Sequence, residues 1–289
     1  MENGKTYKLK NDIECSGDYA SIIDKLNNKQ IEIKSNEYKI INNGKYYTAN
    51  SKYTIPVNKY GYVINGIELL LDGKDNEGTG KHNSSAAIWK DLSGKKLDGT
   101  LMNMDIENCW KEEGLKFDGI DDYVSIEEMN YENITLEVVT GISDYVDPDE
   151  NKMIVSNTQS GGYAIYVNQN MKLRFEVYLA EDSSYYSPPV NNQSTILNNK
   201  YYISGSYDKN KIKILTSNIS ANYQEISKVG NIGYPKNNTY MMLGVNPEGN
   251  TPASSYFNGT IYSVRIYSKA LSDEERAVNY ANDKERYNV

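Results

Sequence analysis

From about Gly66 onward the chain is a succession of short alternating or β-branched runs separated by turn residues. This pattern limits its fold more than any other feature. Examples are Tyr123-Val124-Ser125-Ile126, Thr135 to Val139, Tyr163 to Val167, Leu173-Arg174-Phe175-Glu176-Val177, Tyr201 to Tyr207, Lys211 to Leu215, Tyr240 to Leu243 and Ile261 to Tyr267. A period of two sends one set of side chains into a core and the other towards solvent or a second layer. Asn168-Gln169-Asn170 and Asp208-Lys209-Asn210 sit between runs as hairpin turns. Roughly a dozen such strands without intervening helices predict a two-sheet antiparallel sandwich.

The two ends read differently. Ser272-Asp273-Glu274-Glu275 is a capping box that opens one helix, running to about Tyr287. A polar helix closing an all-β domain is expected across a sheet edge. Residues 1–60 read as a small α+β docking or oligomerisation segment. In it, Asp18 caps a short helix carrying Ile22, Ile23 and Leu26, and Asn42-Asn43-Gly44 turns a hairpin. The boundary with the main domain, residues 65–289, falls near Ile55 to Lys59.

Charge and composition exclude several functions. Asp+Glu 39 against Lys+Arg 31 gives a net charge of −8 with no basic cluster. Nucleic-acid binding is therefore not expected, since phosphate neutralisation supplies most of its affinity. No apolar run approaches the roughly 20 residues of a membrane span, so membrane insertion is not expected either. The single histidine, His82, rules out His-rich metal sites and disfavours His-based triads. Cys15 and Cys109 are too few for a disulfide framework and read as buried thiols, with pairing left open. The polar start, Met1 to Thr6, has no secretory core. Synthesis in the cytoplasm is the expectation, with a fragment of a longer exported protein as the alternative.

Specific motifs then appear in order. They are Glu68-Leu69-Leu70-Leu71-Asp72-Gly73, Trp89-Lys90-Asp91-Leu92-Ser93-Gly94, Asp98-Gly99-Thr100-Leu101 and Leu115 to Val124 with its Asp118-Gly119-Ile120-Asp121-Asp122 turn. Phe257 to Tyr267 and Lys269 to Glu275 close the series. Over residues 65–289 this succession resembles the concanavalin A-like, laminin-G-like jelly-roll family of bacterial and phage surface proteins. The resemblance implies an all-β jelly roll with a C-terminal helix. It implies little about ligand, because the fold carries lectins, adhesion modules and glycosidases. Gly73, Gly94, Gly99 and Gly119 are expected where strands turn with positive φ. Trp89 and Phe117 are expected in the core.

Glycosidases of the resembled fold carry Glu, Asp and Glu in near-alternation on one strand, and no such spacing occurs. Glu68, Asp72 and Asp75 leave the strand, Glu127, Glu128 and Glu132 lack a middle Asp, and Asp147-Pro148-Asp149-Glu150 is a turn. The expectation is a protein that is not an enzyme, although carboxylates from different strands could still meet. Calcium takes hard oxygen ligands from loops, and Asp118, Asp121 and Asp122 are the candidates. The alternative is an Asx turn that bonds its own backbone. Relatives carry an acid in the closing strand, where this chain has Tyr262-Ser263.

A sugar needs aromatic faces and planar polar partners. Loops at sandwich ends supply the candidates Tyr185 and Tyr186, Tyr234 and Asn237, and Asn246 and Glu248. The leading expectation is a non-catalytic module that binds a surface glycan or another receptor. Its expected owner is a phage or phage-like tail protein, trimeric by resemblance, assembled with other tail proteins and acting outside the cell. The rivals are a carbohydrate-binding module of a secreted glycosidase or adhesin, and a structural virion or tail protein.

Overall fold

The computed structural model describes residues 55–111, 113–144, 147, 149–189, 194–217, 224–235 and 239–289, together with the backbone of the strands within 1–54. The chain divides into two compact units, Met1–Asn65 with Ser272–Arg286, and Gly66–Leu271 with Tyr287–Val289.

In the first unit, Tyr7–Leu9, Lys39–Asn42, Lys45–Ala49 and Thr54–Val57 form one sheet in that order, its first pair parallel. The hairpin expected around Asn42 is present. The helix expected from Asp18 is not. Tyr19–Asp24 is a strand paired antiparallel with Lys29–Lys34, Ile22 opposite Ile31. Tyr19, Ile22 and Ile23 are β-formers, and a neighbouring alternating strand outweighs a weak helical face. Leu26 lies outside the described residues.

The C-terminal helix, Asp273–Tyr287, starts as its capping box predicts. The Ser272 amide donates to Glu275 Oε2 (2.9 Å) and the Glu275 amide to Ser272 Oγ (3.2 Å). Its partners within the first unit lie in the segment before residue 65. Asn279 Oδ1 accepts from the Val63 amide, Asn282 donates to the Tyr60 carbonyl, and the Tyr62 hydroxyl donates to Asp283. Within the first unit the helix therefore clasps a loop, and its last residue, Tyr287, donates to Asp72 at the end of strand Ile67–Asp72 (2.8 Å). Among the described residues no helix is long and apolar enough to cross a membrane.

The second unit is the sandwich. One sheet runs in spatial order Trp110–Lys111, Gly114–Asp118, Asn258–Tyr267, Ile134–Ile142, Lys200–Tyr207, Lys211–Thr216 and Gln224–Ser227. Strand Ile67–Asp72 joins it on Asn258–Tyr267, sharing that edge with Gly114–Asp118. The other sheet runs Ser184–Tyr186, Leu173–Leu179, Tyr163–Val167, Lys152–Ser156, Tyr240–Leu243, Tyr123–Glu128, Gly99–Met102 and Ile88–Trp89. Every pairing in both sheets is antiparallel.

The core between the sheets takes alternate residues, as the sequence pattern requires. Ile134, Leu136 and Val138 share one buried cluster with Leu173, Phe175, Val177 and Leu179. Each such fully buried side chain contributes about 1.5–3 kcal/mol. Trp89 and Phe117 are in this core. Trp89 stacks edge-on against Trp110 at 5.2 Å, and His82 packs edge-on against Trp110. The lone histidine, its Nδ1 2.6 Å from the Gly73 carbonyl, is a structural residue. Cys109 is a buried thiol, and Cys15 lies outside the described residues. Of the four motif glycines, Gly94 and Gly119 have positive φ (93° and 80°). Gly73 and Gly99 are required for a different reason. A β-carbon there would collide with the Glu113 carbonyl and the Val124 side chain.

On the face of the first sheet turned away from the core, Glu137 and Arg265 stand directly opposite each other and are fully buried, Arg265 Nε to Glu137 Oε2 2.9 Å. Tyr202 donates to the same carboxylate at 2.8 Å, and Arg265 to Ser263 Oγ at 3.0 Å. Such a pair adds little net stability, because desolvation offsets its attraction. Ser263 is thus committed to this network.

Candidate functional site

The alternation that buries Leu173, Phe175, Val177 and Leu179 turns Arg174, Glu176 and Tyr178 to the opposite, outer face of the second sheet. Register supplies their neighbours. Tyr166 lies opposite Arg174, Ala164 opposite Glu176, and Tyr185 opposite Tyr178. Six side chains from three adjacent strands therefore share one patch.

Its centre is polar: the neighbouring Tyr166 hydroxyl and the Arg174 charge both favour the ionised form of Glu176. Arg174 is also fixed from behind, Nε and Nη2 reaching Ser187 Oγ at 3.2 and 2.9 Å. Burial raises the Glu176 pKa above the usual carboxylate range, against the opposing pull of Tyr166 and Arg174. Met153, Ala164 and Tyr166 form a buried apolar wall on one side. On the other side Tyr178 and Tyr185 pack edge to face at 5.0 Å. Tyr185 is 38% exposed, which leaves its ring accessible. Its hydroxyl is occupied, donating to the Gly161 carbonyl (2.8 Å) and accepting from the Gly161 amide (3.0 Å). Burial pushes its pKa up to about 12.

The other predicted ligand residues fall in different places. Tyr186, next to Tyr185, points to the opposite face by the same alternation. It packs on the core, donates to Asp182, and lies under Lys228 Nζ at 3.8 Å. Tyr234 also packs on the core edge, against Tyr163, its hydroxyl donating to and accepting from the Tyr131 backbone (2.8 and 3.0 Å). Asn246 and Glu248 lie on a short hairpin, Asn246–Glu248 with Thr251–Ser254. Asn246 Oδ1 accepts from Thr158 Oγ1 (2.8 Å) and Ser156 Oγ (3.3 Å), while Glu248 is exposed. Asn237 lies outside the described residues. Sequence reasoning missed Arg174, Glu176 and Tyr178. Their signal was a charged, charged, aromatic set at every second position of a strand already recognised.

Asp118, Asp121 and Asp122 do converge, one carboxylate oxygen from each lying within 4.8 Å of the others. The turn also bonds itself. Asp118 Oδ1 accepts from the Ile120 amide (2.8 Å), and Asp122 Oδ2 from the Asp118 amide (3.0 Å). Burial raises Asp122 to about 6, with repulsion from Asp118 adding to it. Both sequence readings, cation cluster and Asx turn, thus have geometry behind them. The register puts this turn at the end of the sandwich where Leu173–Leu179 begins, opposite the loops of Gly161 and Tyr131 that hold Tyr185 and Tyr234.

Two antiparallel sheets enclosing one core, with a polar and aromatic outer face on the second sheet, define a lectin-like jelly-roll protein. Residues 118–275 match the family model of the concanavalin A-like lectin/glucanases superfamily. The chain belongs to this superfamily. The earlier segment completes the same fold, since Ile67–Asp72 and Gly99–Met102 pair with strands inside the matched region.

Among solved structures, the receptor binding domain of botulinum neurotoxin mosaic serotype C/D is similar with TM-score 0.55 at 15% identity, over 75% of this chain and 51% of that one. The Trypanosoma rangeli sialidase in complex with sialic acid is similar with TM-score 0.52 at 15% identity, over 89% and 46%. The chain therefore spans about half the length of these structures. No curated protein matches it.

Proposed function

We propose that this chain is a non-catalytic recognition module for cell-surface carbohydrate or another surface receptor. The observation that carries the reading is the outer-face patch of Arg174, Glu176, Tyr178 and Tyr185. It combines planar hydrogen-bonding groups with an accessible aromatic ring on rigid strands, the arrangement a sugar requires. Most glycoside hydrolases use a second carboxyl group about 5–9.5 Å from the first, on the substrate's other side. The neighbours of Glu176 on its own face, Arg174, Tyr178 and Ala164, supply none. The similarity to a neurotoxin receptor binding domain and to a sialidase says which scaffold presents the patch, and not what the patch holds.

The owner we propose is the receptor-binding part of a phage or phage-like tail, acting outside the cell as a trimer. This follows the resemblance of residues 65–289 to jelly-roll domains of phage and bacterial surface proteins. Binding of the purified chain to host but not non-host cells tests the reading. Equal binding to both, or none, favours a structural virion role. A monomer by light scattering at micromolar concentration would count against the tail tip.

A further inference from the structure

The recognition reading leaves open what kind of ligand the patch accepts. Resting on that reading, we infer that the Arg174–Glu176–Tyr178–Tyr185 face takes an uncharged sugar through a pair of its hydroxyls, and rejects acidic sugars.

The polar groups are arranged for hydroxyl partners. An ionised carboxylate has about four acceptor positions, and those of Glu176 suit hydroxyl donors and offer nothing to a second carboxylate. Arg174 would be the natural anchor for an acid, but its Nε and Nη2, the side-on edge that a carboxylate grips bidentately, already meet Ser187 Oγ. What remains are the Nη hydrogens at the far end of the guanidinium, from which a hydroxyl or ring oxygen accepts as well as an anion does.

Charge points the same way. Glu176 sits two residues from Arg174 on the same face, roughly 7 Å along the strand, so the pair is already neutral overall. An incoming anion adds repulsion against a half-buried carboxylate whose charge is already costly, whereas a hydroxyl donor stabilises that charge. Tyr185 contributes only its ring, because Gly161 holds its hydroxyl from both sides. That clamp fixes the ring beside Tyr178 before any ligand arrives, so little side-chain entropy is lost on stacking a sugar's C–H face.

The test uses the full chain on an array carrying neutral, sialylated and uronate-bearing oligosaccharides, followed by titration with the strongest neutral binder. Parent protein is compared with Glu176→Gln, which keeps the shape, and Tyr185→Ala at an exposed ring, with melting temperatures recorded for all. The expected result is binding to neutral sugars, weakened tenfold or more by either substitution at an unchanged melting temperature. Affinity of the parent should also fall as acid protonates Glu176, whose pKa burial raises above its ordinary value, and that fall should vanish in Glu176→Gln. Preference for acidic sugars, or neutral binding indifferent to both substitutions, overturns the inference while leaving a recognition module. Absence of binding to any sugar overturns this inference and the carbohydrate reading together.

Discussion

The strand that presents Arg174 and Glu176 is seated by Phe175, whose ring occupies the space left by Gly205 in the facing sheet. Gly205 lies between Leu136 and Ile214 in register, and a β-carbon there would fall far inside the van der Waals envelope of Phe175 Cγ and both its Cδ atoms. On backbone grounds alone, Gly205→Ala should stabilise by about 0.4–1 kcal/mol through the unfolded chain. The clash reverses that sign. Phe175 is fully buried and cannot turn aside, so overpacking should cost about 3 kcal/mol, the upper part of its usual range. Phe175→Leu removes part of the ring and should cost about 1–2 kcal/mol by itself. In the double variant the smaller side chain makes room for the new methyl, so the losses should fall short of additive by at least about 1 kcal/mol. Urea unfolding followed by tryptophan fluorescence measures all three, because Trp89 and Trp110 are both buried in the sandwich core and report that unit. A neutral Gly205→Ala, or a double variant showing the full sum, would refute this account of how the site strand is held.

Three further outcomes follow from the same geometry. With EDTA present, Asp122 is raised to about 6 from an unfolded value near 3.8, so it binds its proton more tightly when folded. Its contribution to stability is complete below about pH 4 and lost as pH rises through 6; Asp122→Asn should flatten that fall, about 1–2 kcal/mol, in urea midpoints between pH 4 and 7. Calcium on Asp118, Asp121 and Asp122 should raise the melting temperature of chelator-treated protein and give calorimetric heat that Asp121→Asn diminishes; no heat and no shift would exclude the site. Tyr234→Phe removes both hydrogen bonds to the Tyr131 backbone, so it should cost about 1–3 kcal/mol in urea unfolding and leave glycan affinity unchanged; a loss of affinity at unchanged stability would move Tyr234 into the binding surface.

Much of the architecture is legible because period two has one physical meaning in a half-buried sheet. Leu173 to Leu179 and Ile134 to Val138 bury the residues their alternation selects. The capping box at Ser272 is equally local, and both of its hydrogen bonds form. Reading failed where a pattern fits two structures. Ile22, Ile23 and Leu26 suit one face of a helix, but Ile22 and Ile23 also suit a strand, and only the partner Lys29–Lys34 decides between them. The glycines misled for a related reason, since Gly73 and Gly99 answer to close approach across the chain, which no local motif records.

The site was half legible. Tyr185 could be named from the turn residues around it, but the strand beside it separates its ring from that of Tyr186 and sends Tyr186 to the core. Glu176 escaped a search for two carboxylates on one strand because its neighbours on the face are Arg174 along its own strand and Tyr166 diagonally across from it.

The central claim is that ligand is held on the outer face of the second sheet and not at the Asp118 end of the sandwich. Backbone amide shifts of labelled protein, recorded while a neutral oligosaccharide identified on the array is titrated in, test it most directly. Perturbations confined to Tyr163–Val167, Leu173–Leu179 and Ser184–Tyr186 are the predicted result. Perturbations centred on Asp118 to Tyr123, with those three strands unmoved, would contradict it.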